Sequence, residues 1–140
     1  MPSSSKPRKP YRPKPVIKPC NTRQAWEIEG EAHIGLLAIE SGDISDEHIA
    51  MVCAHADMVR RLFDDPHHPV RRQAETIIRI VDQIKSRPEL RVLSGEEAAI
   101  RAAMTVTLPA IRAASNADIY RVAQASLRDM DRFGGVKVKL

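Results

Sequence analysis

A stripe of apolar residues between positions 49 and 63 limits this chain more than any other feature. Ile49, Val52, Cys53, Ala56, Val59 and Phe63 recur at steps of three and four, which places them on one face of a helix. The start of that helix is also written in the sequence. Ser45 is a good N-cap, Asp46 and Glu47 complement the helix dipole in the first turn, and Ile44 and Ile49 occupy the two staple positions around the cap. Such a face has to be buried against other elements, and the remaining segments are patterned to supply them.

Those segments are helical too. Thr22 or Asn21 can cap a first helix running to about Ser41, with Gly42 in the stop position. Its apolar positions include Ala25, Trp26, Ile28, Ala32, Leu36, Leu37 and Ile39, and Gly30 and Gly35 weaken it. Residues 64–69 read as a turn, and Pro69 suits the N1 position of a third helix. That helix has Val70, Ala74, Ile77, Val81 and Ile84 on its core face, widened by Ile78 and Ile80, and Pro88 ends it. A connector with Leu90, Val92 and Leu93 leads to Ser94-Gly95-Glu96-Glu97, read as a capping box that opens a fourth helix through Ala98, Ile100, Ala103 and Met104. Pro109 is expected to kink or split that helix. A last helix follows Asn116 with Ile119, Val122, Leu127 and Met130, and Gly134-Gly135 stop it.

Only the terminal VKVKL alternates like a strand, and it is too short to build one into a sheet. The predicted fold is therefore all-α: a bundle of about five helices over 21–133, an extended basic, Pro-rich arm over 1–20 and a flexible tail over 134–140. With only Tyr11, Trp26, Phe63, Tyr120 and Phe133 as aromatics, the core has to be aliphatic.

The net charge of +4 conceals a strong partition. Residues 1–19 carry +6 with no acid, residues 20–59 carry −7, residues 60–136 carry +3 and the last four carry +2. The arm holds Lys6, Arg8, Lys9, Arg12, Lys14 and Lys18 among six prolines, with Tyr11 between bases. Proline at that density excludes helix and inner strand and favours polyproline II. The arm reads either as a solubilising terminus or as an electrostatic contact for nucleic acid or an acidic protein face. On duplex DNA, neutralising six phosphates would give a log–log salt slope of roughly −5.

The best polar cluster in the body is the turn between the second and third helices: Arg60, Arg61, Asp64, Asp65, His67, His68, Arg71 and Arg72. Asp and His are suitable ligands for a divalent ion, and arginines can hold a phosphate. The two prolines in the turn favour a structural role with a possible phosphate or partner contact, and no further Glu/His pattern completes a metal shell. His48 and His55 are seven apart, too far to share one ion. Arg101, Arg112, Arg121, Arg128 and Arg132, with Asp118, Asp129 and Asp131 interleaved, read as a solvated mixed-charge face. The chain has no GxGxxG, P-loop, CxxC, HExxH or GxSxG motif, so neither an enzyme nor a cofactor nor a metal is expected. Cys20 and Cys53 read as free thiols, and no apolar run reaches a membrane span. The expected setting is the cytoplasm, with no membrane partner.

The segment Lys6-Pro7-Arg8-Lys9-Pro10-Tyr11-Arg12-Pro13-Lys14-Pro15 resembles the opening of small, largely uncharacterised helical accessory proteins encoded by tailed phages and prophages of proteobacteria. The resemblance implies a bacterial cytoplasm and a regulatory or host-interaction role. The leading expectation is a non-enzymatic binding protein that engages a host or phage protein through a helical surface. The alternatives are nucleic-acid binding through the arm and a self-associating subunit, such as a homodimer, completing its core.

Overall fold

The apolar stripe forms the helix it predicts, and that helix is the axis of the molecule. In the computed structural model, which describes residues 22–132 and side chains from 27 to 129, the chain forms five helices. They are α1 (Thr22–Ser41), α2 (Asp46–Leu62), α3 (Pro69–Lys85), α4 (Glu96–Ala113) and α5 (Asn116–Arg132), with no β-strand among the described residues. The first four form a ring in which each packs on the next and α4 closes on α1, while α5 lies outside the ring against α2. The arm, Cys20, Asn21 and Gly134-Gly135 lie outside the described residues.

Capping sets the ends of α2 and α3. The Ser45 hydroxyl accepts from the His48 N–H at 3.4 Å, and His48 Nδ1 accepts in return from the Ser45 N–H at 3.2 Å. Histidine thus fills the position that Glu or Gln usually holds in a capping box. Pro69 sits at the start of α3, where its missing N–H costs nothing, and His68 Nδ1 accepts from the Val70 N–H at 3.2 Å.

One sequence expectation about α4 is corrected and a second is narrowed. The Ser94 box does not form: the N-cap is Gly95, at φ 91°, with no side-chain cap bond. A left-handed backbone at that position suits glycine and moves Ser94 out of capping register. The Glu96 carboxylate closes the end instead, accepting from the Leu93 N–H at 2.6 Å and from Arg87 at 2.6 and 2.8 Å. Nor does Pro109 split α4, which runs unbroken from Glu96 to Ala113. Pro109 is exposed, so its ring faces water rather than core.

The core has two apolar clusters stacked along the bundle. The larger joins Ala32, Leu36 and Ile39 of α1 to Ile49 and Val52 of α2, with Ile77 and Ile84 of α3 and Ile100 and Met104 of α4. The smaller gathers Met58, Val59, Ala74, Ile111, Ile119 and Val122, and it is where α5 docks. His55 of α2 and Thr107 of α4 are both buried, and their Nε2 and Oγ1 atoms are 2.8 Å apart. His55 Nδ1 has no partner among the described residues.

The α1–α2 contact depends on Gly35. A Cβ at this position would lie 2.7 Å from Val52 Cγ2 and 2.9 Å from the His48 carbonyl. At Gly30 it would meet nothing within 4 Å. Gly35→Ala is expected to destabilise the fold by about 1–3 kcal/mol through overpacking. Gly30→Ala is expected to stabilise it by about 0.5–1 kcal/mol through helix propensity. Urea unfolding of the two variants checks both signs.

His55 generates a second prediction. Burial, aided by the charge of His33, pushes its pKa down to about 4, so the folded chain holds it neutral. In the unfolded chain it takes up a proton near pH 6.5, and stability therefore falls as pH drops from 6.5 towards 4, by about 3 kcal/mol in all. Thermal unfolding at pH 7 and pH 4.5 should show this loss. It should shrink in His55→Leu, where Thr107 can bond back to its own helix.

Candidate functional site

The turn after α2 is shaped by its own short-range chemistry. Phe63 leaves the helix in extended conformation (φ −123°, ψ 117°). Asp65 then accepts from the His67 N–H through its carboxylate at 2.9 Å and from the His68 N–H through its carbonyl at 3.0 Å. The His68 ring stacks on Phe63 with centroids 4.1 Å apart. Arg71 reaches back from α3, donating through Nη1 to the carbonyls of Phe63 (2.9 Å) and Asp64 (3.2 Å) and through Nε to Glu75 (3.0 Å). Asp65, His68 and Arg71 therefore build the turn, while His67 and Arg72 are exposed.

Beside the turn, a polar seam ties α2 to α5. Arg60 donates to Asp57 at 2.5 Å, and Arg61 donates to Asp57 at 2.9 Å and also to Asp129 of α5. Burial works to raise the Asp57 carboxyl, but the neighbouring Arg60, Ser126 and Arg61 side chains outweigh it and hold the group below the usual carboxylate range. Along this seam runs a groove of about 310 Å³, lined by Arg60, Arg61, Phe63, Asp64, Arg71 and Arg121.

Four of the eight turn residues singled out from sequence thus meet at one groove. Asp57, Arg121 and Asp129 complete the constellation and are not part of the predicted cluster. Asp57 stands four residues before Arg61, an ordinary helical ion-pair spacing that could have signalled it. Arg121 and Asp129 are brought in from α5 by tertiary packing.

The mixed-charge face expected of the C-terminal helices is divided among different neighbours. Arg112 binds Glu29 at 2.6 and 2.9 Å, and Arg101 binds Glu40 at 2.8 and 2.5 Å, both bridging α4 to α1. Arg121 stays on α5, 3.5 Å from Asp118. No cluster of three or more His, Cys, Asp or Glu suited to a metal occurs among the described residues. Burial pushes the half-buried Cys53 thiol up, away from the reactive thiolate. No helix among the described residues is long and apolar enough to cross a membrane.

A second surface lies on α1. Its inner side supplies Ala32, Leu36 and Ile39 to the core, yet Ile34 and Leu37 on the opposite side are 51% and 64% exposed. Gly30, one turn earlier, keeps the same side open. Exposed Glu31 lies one turn before Ile34 on this face, exposed Asp43, Asp46 and Glu47 follow α1 in the chain, and none of the four forms an ion pair among the described residues. Comparison of the chain with known protein families, curated proteins and solved structures finds no match.

The α2–α5 seam is tested by removing its shared carboxylate. Asp57→Asn deprives Arg60 of its anionic partner and leaves Arg61 with Asp129 alone, and is expected to cost about 1–3 kcal/mol in urea unfolding. Arg128→Gln, an exposed change on the same helix as Asp129, should stay within about 0.5 kcal/mol.

Proposed function

We propose that this chain is a non-enzymatic binding protein that engages a basic, amphipathic protein segment on the outer face of α1. The carrying observation is the exposed pair Ile34 and Leu37, on a helix whose other side is already committed to the core. Two large aliphatic side chains one turn apart form a contact for an apolar ridge. Glu31 on the same face, without an ion pair among the described residues, and the acidic balance of residues 20–59 favour a partner bearing lysine or arginine, both in approach and in orientation. The same charges disfavour a second copy of this chain on the same face. Between residues 20 and 59 the only base is Arg23, against eight acids. An accessory role in a phage or prophage setting fits a small binder of this kind.

A second reading, nucleic-acid binding through residues 1–19, is supported by their charge of +6 without a single acid. Lys6, Arg8, Lys9, Tyr11, Arg12, Lys14 and Lys18 would carry it, and all lie outside the described residues. Deleting 1–19 separates the two readings, because it removes nucleic-acid binding and leaves the α1 face in place.

A synthetic amphipathic lysine/leucine helix peptide tests the leading reading. Calorimetric titration should show binding to the full chain that weakens as salt rises. The double change Ile34→Asp and Leu37→Asp should weaken it at least about tenfold while leaving thermal unfolding near that of the parent. Equal binding by both proteins, or none by either, rules the α1 face out.

A further inference from the structure

The arginine groove between α2, α3 and α5 takes no lining residue from α1, so whatever it does is separate from the proposed docking face. Its arginines come from three elements: Arg60 and Arg61 from the end of α2, Arg71 from the start of α3 and Arg121 from α5. Two of them are fixed in advance. Arg61 lies between Asp57 and Asp129, and Arg71 is held by two backbone carbonyls and Glu75. A ligand meeting Arg71 finds that side chain already ordered.

The groove is not a region of net positive charge, since Asp57, Asp129, Glu75 and Asp118 stand against its arginines and Asp64 lines it. Selection must therefore depend on the direction of N–H groups. Each guanidinium carries five N–H donors, and the carboxylates and carbonyls use only some of them. Arg60 reaches Asp57 through Nη2, its Nε is buried, and its Nη1 is engaged by none of the ion pairs among the described residues. Neither Arg71 Nη2 nor Arg121 Nε is engaged by the ion pairs above. Donors that converge from three elements suit a tetrahedral oxyanion, whose oxygens point in several directions. A planar carboxylate offers two oxygens in a single plane. The volume of about 310 Å³ is that of a small ligand site, and Phe63 and Ala125 give it an apolar edge.

We infer that this groove binds the phosphate group of a small phosphorylated molecule, with Arg60, Arg71 and Arg121 as its ligating residues. Inorganic phosphate is the probe, titrated into the full chain at low ionic strength and followed by amide NMR shifts, with acetate as the charge control. Phosphate should shift the amides of Arg60, Phe63, Arg121 and Ala125, with a Kd on the order of 1 mM and with acetate much weaker. Arg121→Gln removes an exposed side chain whose nearest carboxylate, Asp118, is 3.5 Å away, so the fold should persist while phosphate affinity falls at least about tenfold. Shifts confined to residues 1–19, equal affinity for acetate, or unchanged binding by Arg121→Gln would each overturn the assignment.

Discussion

Every other helix in this bundle depends on the burial of α2. Ile49, Val52, Ala56 and Val59 are completely shielded from water, and burying an aliphatic side chain of the Val or Ile class contributes about 1.5–3 kcal/mol. One face of α2 meets α1, one meets α3 and another meets α5, with a smaller contact across the ring to α4. Because one helix occupies the inner surfaces of its neighbours, their outer surfaces are left free for other uses. The exposed side of α1 and the groove beside the end of α2 both follow from this arrangement.

Polar groups inside the bundle sit where two packed surfaces join. His55 and Thr107 pair across the α2–α4 contact, and Glu29, itself buried, meets Arg112 across the α1–α4 boundary. The Asp57–Arg61–Asp129 chain does the same for α5. Partnered polar pairs of this kind tolerate few alternative alignments, since sliding either helix by a turn would leave a buried group without its hydrogen bond. The apolar contacts supply most of the cohesion, and the polar pairs fix which residue faces which.

Features carried by local spacing are legible in the amino-acid sequence. The stripe from Ile49 to Phe63, Ser45 as a cap, Pro69 as a first helical residue and Asn116 as the start of the last helix are all encoded within a few positions. Cap choice at residue 95 is not, because Ser94 and Gly95 both qualify and backbone geometry decides between them. The effect of Pro109 depends on which side of the helix it faces, and that is set by how α4 packs. The contact at Gly35 involves Val52 and His48 on another helix, so sequence shows only a weakened α1. The candidate site divides in the same way: the turn supplies Arg60, Arg61, Asp64 and Arg71, but Arg121 and Asp129 reach them only after α5 docks.

If α2 is the axis and α5 an addition to it, protection from solvent should be graded along the chain. Native-state hydrogen exchange followed residue by residue measures this directly. The amides of Val52, Ala56 and Val59 should exchange slowest, only through global unfolding, while those of α5 from Ile119 to Ser126 exchange earlier through a smaller opening. Amides of α5 as slow as those of α2, or an α2 that opens before α1 and α3, would contradict the account.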